Sequence, residues 1–519
     1  MTLFAGVFAA ALPCIHGQLV DRTLAPNLAN EGIAKSFADE NGAGRGNVMT
    51  PNSSAFIIGR DPFRAIRRGR QIFQRKFLPW QGLGPITSMG QGDVANNIAI
   101  GAGLSDSCAS CHGRPRGSAG VGGDVATRPD SRDSPHLFGI GLKEMLGDEF
   151  TTALRAIRTG AIDLARRNRA PVTVNLTYQG INYGSLTANA DGSVDTSRVV
   201  GVDPDLRVRP FFAHGEKFTI RESLIGALND EMGLQAVDAE LAAAKAGGRM
   251  VTPAGMVLDG SRDRLQPVPT AFVGADPDGD GVVNEIPTAI VDYLEFYLLN
   301  YFKPGTYEQT PATIRGRAVF AQMQCVRCHV PDLTIQQDRR VADLDTVFDP
   351  ERGIFNGLFA TAEAKFNTID DRSGHPSLKP AKRGSFVVKN IFTDLKRHDL
   401  GAKFHERTYG GAVETTFMTA PLWGVGTSAP YGHDGRSINL PEVILRHGGE
   451  ASAEAGRFAA LSDVDRSSVL EFLQSLVLFP PDDTASTLDP GNRNDPRFPQ
   501  AGHGSIRLGA LFNNPADPE

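Results

Sequence analysis

The apolar positions of this chain fall into short runs, separated by glycine- and proline-rich breaks, and their period changes along the chain. From Pro62 to Phe73 apolar residues recur at helical spacing with proline near the start, which predicts a helix. Ile220 to Leu228 and Leu440 to His447 read the same way, each fed by a glycine-containing turn. Ala236 to Lys245 predicts a short alanine-rich helix. Ile290 to Tyr301 is apolar on several faces and predicts a buried one. Val464 to Leu476 places Val469, Phe472, Leu473 and Leu476 at helical spacing. Near residues 165–205 the period drops to two. Val172-Thr173-Val174-Asn175-Leu176 alternates and Asn189-Ala190-Asp191-Gly192 punctuates, so a small β excursion interrupts a helical region. Residues 1–60 predict an extended arm with short helices, and residues 479–519 a surface tail.

Part of this pattern occurs twice. Arg68-Gly69-Arg70-Gln71-Ile72-Phe73 precedes Cys108-Ala-Ser-Cys-His112, and Arg315-Gly316-Arg317-Ala318-Val319-Phe320 precedes Cys325-Val-Arg-Cys-His329. Downstream, Arg209 to Glu216 leads into the helix at 220, and Ala429 to Arg436 leads into the helix at 440. An internal repeat predicts two related domains, at 61–265 and 313–478, joined by a linker at 266–312.

Each Cys-x-x-Cys-His is the attachment signature of a c-type haem: two cysteines form thioethers and the histidine supplies an axial nitrogen. The two motifs use four of the five cysteines, so Cys108, Cys111, His112, Cys325, Cys328 and His329 predict two covalent haems. The alternatives are a pair of redox dithiols, or a zinc site that would leave both histidines without a reason. Cys14 reads as an ordinary thiol. Covalent haem implies export, hence a periplasmic location in a Gram-negative cell. The apolar start, Leu3 to Leu12, lacks the basic region of a secretory signal, so it is a truncated signal or a mature N-terminus.

Composition narrows the partners. The chain has 519 residues, 57 Gly, 33 Pro and a formal charge of -6. That is enough length for more than one domain, and a charge that makes nucleic acid an unexpected partner. No apolar run reaches the roughly 18 residues of a membrane span. The local basic cluster of Arg64, Arg67, Arg68, Arg70, Arg75 and Lys76 reads as a solvated helix face, or as arginines that meet haem propionates.

Haem chemistry depends on the sixth ligand: a filled position moves electrons, an open one binds small oxidants. For the second haem the candidate is His447, at the end of an apolar helix. His433 is a candidate to hydrogen-bond between domains or to a propionate, with Asp434 orienting it. The first half has Ala227 or Leu228 at the matching place, so the first haem is open, or reversibly closed by His136. Glu231 is a candidate to move the proton during peroxide cleavage, and His214 to donate a hydrogen bond to bound peroxide. The bland alternatives are a surface acid and a surface-turn histidine. Asp276, Asp278, Asp280 and Asn284 follow the spacing of a calcium loop, but Pro287 stands where an EF-hand needs Glu. A looser calcium site, with Glu285 as a late ligand, or an empty polar turn are the two expectations.

The ordered series of motifs between about residues 65 and 478 resembles the bacterial di-haem cytochrome c peroxidase and MauG superfamily, in particular the branch labelled thiol oxidoreductase. It includes Asn229-Asp230-Glu231-Met232-Gly233, Phe392 to Gly401, Thr419 to Gly424 and Tyr431 to Glu450. The resemblance implies a mainly α fold with two cytochrome c-like domains, a peroxidatic first haem served by Glu231, and an electron-transfer second haem with His447 where relatives carry Met or Tyr. It also implies hydrogen peroxide as oxidant and a small donor protein, a cytochrome c or cupredoxin. Two departures stand out: Phe211-Phe212-Ala213 replaces the usual inter-haem Trp, for which Trp80 is a stand-in, and Ser223 replaces a distal Gln. The alternatives are a MauG-like enzyme or oxygenase acting on an organic or protein substrate, and a pure electron carrier.

Overall fold

The computed structural model describes residues 36–60, 62–84, 106–112, 133–236, 238–265, 274, 276, 281–283, 285–301, 304–306, 309–340, 342–348, 360–366, 368–369, 377–378, 383–407, 411–478 and 505–507. Its helices are α1 (Phe37–Asn41), α2 (Ser54–Arg60), α3 (Pro62–Gln74), α4 (Cys108–Cys111), α5 (Ile140–Asn168), α6 (Ile220–Met232), α7 (Ala239–Lys245), α8 (Thr288–Leu299), α9 (Pro311–Gln322), α10 (Leu440–Arg446), α11 (Ser452–Ala459) and α12 (Asp463–Gln474). The expected β excursion is a meander of β1 (Val172–Tyr178), β2 (Ile181–Ala188) and β3 (Val194–Asp195), paired antiparallel in that order.

The helix preceding each Cys-x-x-Cys-His crosses a second helix at a glycine. In the first half α3 crosses α8: a Cβ on Gly69 would lie 2.2 Å from the Tyr293 carbonyl oxygen and 2.4 Å from Tyr297 Cβ. In the second, α9 crosses α12: a Cβ on Gly316 would lie 1.9 Å from the Ser468 oxygen and 2.8 Å from Phe472 Cβ. Real Cβ atoms do not tolerate such distances, so glycine sets the approach of both helix pairs. The aromatic residue four positions on packs against the same partner: Phe73 on Tyr297 with centroids 5.9 Å apart, Phe320 on Phe472 at 5.7 Å.

Helix α8 is buried on every side, as its pattern predicts, although it carries Asp292 and Glu295. Both carboxylates meet the buried guanidinium of Arg221, at 2.9 and 2.8 Å. An unpaired charge there would cost several kcal/mol, roughly 3–5.

The outcome differs from a mainly α protein. Helix is substantial, but small antiparallel sheets run through both halves. Leu333–Gln337 pairs with Arg383–Val388, and Ala342–Phe348 with Ala360–Phe366. Ser505–Arg507, in the expected tail, adds a parallel strand to the latter. Helix α5 is not among the elements predicted from the pattern, and it contains Gly141, Gly147 and Gly160. Gly141 is a packing point, where a Cβ would lie 2.0 Å from the Leu299 oxygen. Of the arm predicted as extended with short helices, residues 36–60 carry two short helices, α1 and α2, packed against the first half.

The halves also share cores. Phe150 and Leu154 of α5 lie in one cluster with Leu333, Ile335, Val388, Ile391 and Trp423, and Val477 and Leu478 return to the core of α3 and α8. Among the described residues no helix is long and apolar enough to cross a membrane.

Candidate haem sites

Each motif begins with a helical turn, which puts the two cysteines three positions apart on one face with histidine next. His112 N–H bonds the Cys108 oxygen at 2.9 Å, and His329 N–H the Cys325 oxygen at 3.0 Å. The phenylalanines shared by the two lead-ins meet the histidines: Phe73 to His112 at 6.3 Å between centroids, Phe320 to His329 at 6.2 Å.

The imidazoles share one hydrogen-bond arrangement. His112 Nδ1 lies 2.8 Å from the Pro135 oxygen, and His329 Nδ1 lies 3.1 Å from the Phe392 oxygen. A carbonyl can only accept, so Nδ1 carries the proton and Nε2 keeps its lone pair, as a metal ligand requires. His447, at the end of α10, repeats this with Nδ1 2.7 Å from the Val443 oxygen. Burial lowers the pKa of all three rings, and His329, with His447 beside it as the next cause, is lowered to about 4. Each ring lies deep yet keeps some accessible surface, as a ring facing a cavity does.

Cys108 and Cys325 are pushed up to about 12, mainly by burial. A thiolate-based redox pair needs the opposite shift. The four cysteines of the motifs carry no disulfide, and among the described residues the two pairs do not gather into one metal site. Turns, tautomers and thiols thus fit covalent c-type haem.

Around the second motif, Cys328, Asp394 and His398 converge. His398 Nε2 bonds Asp394 and Nδ1 bonds Glu450, both at 2.8 Å. Burial opposes charge on this ring, but its bonds to Asp394 and Cys328 outweigh it and raise it to about 11.

The other candidates have partners of their own. His214 Nε2 bonds Glu406, its Nδ1 lies 3.1 Å from the Thr416 oxygen, and His433 Nε2 lies 2.9 Å from the other Glu406 oxygen. Phe417 stacks on His433 at 4.0 Å and leans on His214 at 4.6 Å. His433 also accepts a bond from Asp133 N–H through its main-chain oxygen, so it does link the halves. Asp434 pairs with Arg446 at 2.8 Å rather than orienting His433 through its carboxylate. His136 Nε2 bonds the Trp423 oxygen at 3.0 Å, so that nitrogen is engaged by the protein. Glu231 lies half-buried in the last turn of α6, where the Met232 oxygen accepts from Gly84 N–H at 3.1 Å. Ser223 is turned to the Thr219 oxygen at 2.8 Å.

Two further expectations change, and a third, the calcium loop, lies mostly outside the described residues. Within the basic cluster Arg68 and Arg75 are not on a solvated face. Arg68 is buried on the Glu40 oxygen, Asn52 and Tyr293, and Arg75 is buried on the Glu40 carboxylate, because the arm supplies acceptors invisible to local pattern. Trp80 is 72% exposed, whereas Trp423 is 3% exposed. Asp278, Asp280 and Asn284 lie outside the described residues. Asp276 accepts from Gly281 N–H at 3.1 Å, and Glu285 accepts from Gln235 N–H at 2.6 Å.

Pro135, Phe392, Asp394, His398, Glu406 and Trp423 join the site only in three dimensions. The available signal was the family-like stretches Phe392 to Gly401, which holds Phe392, Asp394 and His398, and Thr419 to Gly424, which holds Trp423.

A family model described as "Di-haem oxidoreductase, putative peroxidase" matches residues 352–476, the stretch that holds His398, Glu406, Trp423, His433 and His447. No curated protein matches the chain. Among solved structures, hydrazine synthase of Kuenenia stuttgartiensis, pressurised with 20 bar xenon, is 17% identical with a TM-score of 0.19. The match covers 36% of this chain and 55% of that one, so this chain spans about half of its length. A MauG-like protein associated with microbial copper homeostasis is 15% identical, covers 56% of this chain and 77% of that one, and has a TM-score of 0.25. Both scores lie below the level at which a shared fold is read.

Proposed function

From a chain whose C-terminal half carries a di-haem oxidoreductase segment, we propose an exported, periplasmic two-haem c-type enzyme that reduces hydrogen peroxide at its first haem. Electrons enter from a small donor protein and pass through the second haem. Two cytochrome c-like units, related by an internal repeat, hold the haems through Cys108, Cys111 and His112, and through Cys325, Cys328 and His329. The observation that carries this is the matched pair of motifs, each with a glycine-set helix crossing and a histidine whose Nδ1 is fixed on a carbonyl.

The haems supply electron storage and small-oxidant binding. The chain does the rest. His447, with Nδ1 held by Val443, has Nε2 free of that bond and would help hold the second haem, which would then supply electron transfer. The first half ends its corresponding helix on Glu231-Met232-Gly233, with no histidine in α6. Glu231 would hold and return the proton that peroxide cleavage must move from one oxygen to the other.

The test is low-temperature EPR of the fully oxidised protein, before and after peroxide. One high-spin and one low-spin signal, with the high-spin signal consumed by peroxide, is the expected result. Two low-spin signals that ignore peroxide in both redox states would leave an electron carrier.

A further inference from the structure

The segment Thr419–Trp423 touches both proximal sides. On the second-haem side, Leu422 N–H bonds the Ile391 oxygen at 3.1 Å, and the Thr393 hydroxyl bonds the Thr419 oxygen at 2.7 Å. Residue 392 between them provides the carbonyl that orients His329. On the first-haem side, His136 Nε2 bonds the Trp423 oxygen. Its neighbour Pro135 provides the carbonyl that orients His112. Packing supports the same link independently. The Trp423 ring lies against Gly139, where a Cβ would come within 2.6 Å of it, so the turn that carries Pro135 and His136 is seated on the indole.

We infer that Thr419–Trp423, joined to the first half through His136, is a strap that couples the two proximal histidines. The inference rests on the two-haem reading above. An Nδ1–H···O=C bond sets the basicity of a ligating imidazole, and so the redox poise of its metal. When one proximal ring shifts, its carbonyl shifts, and the strap passes the displacement to the other carbonyl. His136 acts here as a positioning residue. Coupling of this kind is reciprocal.

The experiment uses the full-length, haem-loaded protein and measures both haems separately, by redox titration followed by visible and EPR spectra. His136→Phe removes the bond to Trp423 and keeps a ring of similar size. The first haem's reduction equilibrium should change about tenfold, about 59 mV for one electron. The second haem's should change about threefold, although its motif is remote in sequence. His136→Gln, which can still donate to the Trp423 oxygen, should restore both. Gly139→Ala, which presses on the indole, should also move both. A His136→Phe protein in which the second haem keeps its potential and g-values would overturn the strap, whether or not peroxide is reduced. If the coupled shift appears without peroxide turnover, the strap stands and peroxide reduction falls. A protein that carries no second haem would overturn both.

Discussion

The two halves build the same proximal side and different distal sides. Gly69 and Gly316 serve the same crossing, Phe73 and Phe320 press on the histidines, and Pro135 and Phe392 present the orienting carbonyls. At the helices that follow the bridged turns the likeness ends. Helices α6 and α10 both start from a side-chain cap, Thr219 and Asn439, after a bridged turn. Helix α10 stops after seven residues with His447 as its cap, whereas α6 continues to Met232 with Ala227 at the equivalent place. The two halves thus share what surrounds each motif and differ at one helix end, and the proposed division of roles between the haems rests on that difference.

Removing the shared part should have the largest effect. Replacing Cys325 and Cys328 with Ser should abolish covalent attachment in the second half only, and a haemochrome assay on the denatured protein would then find one haem per chain. Retention of two would break the equivalence of the motifs.

Exchanging the distal ends comes next. His447→Ala should turn the second low-spin signal high-spin, and Ala227→His should close the first iron and abolish its response to peroxide. If Ala227→His leaves the high-spin signal intact, the register between α6 and α10 is wrong.

Glu231→Gln should slow peroxide consumption about 10²- to 10⁴-fold, the range for loss of a general acid–base, with both haem spectra unchanged. Rapid mixing with peroxide measures this. A wild-type rate would remove Glu231 from the chemistry.

The glycine crossings should respond alike. Gly69→Ala and Gly316→Ala each force a helix pair apart, at a cost of about 1–3 kcal/mol, visible as a lower denaturation midpoint. Unequal losses would show that one crossing has more room than the other.

Stability of the haem-free chain should fall with acid. His136 and His329 are lowered to about 4 by burial, against about 6.5 when unfolded. Below 6.5 the unfolded chain binds more protons, so stability present above pH 6.5 is lost as pH falls to about 4. The loss is at most about 3 kcal/mol per ring. Urea titrations at pH 7 and pH 4.5 measure it, and identical midpoints would show that the rings are not held neutral.

Much of the scaffold was legible locally. The helices α3, α6, α8, α10 and α12 follow the apolar period, and β1 and β2 follow the alternation. The attachment motifs and their lead-ins were legible because a covalent site needs fixed residue types at fixed spacing. Helix α5 was not, because Gly141 and Gly147 answer to neighbours far along the chain. The same holds for Arg68 and Arg75, whose basic spacing said nothing of the Glu40 that receives them.

The sequence alone determined which residues can bind haem, that there are two such motifs, and which helix ends in His447. Those features depend on neighbours within a turn or two of backbone. Only the tertiary structure decided that Pro135 and Phe392 orient the ligands, that Glu406 lies between His214 and His433, and that Trp423 rather than Trp80 is buried between the halves. Carbonyl acceptors carry no side-chain signature, and the partners of a buried polar group are chosen by packing across hundreds of residues, so no local pattern encodes them.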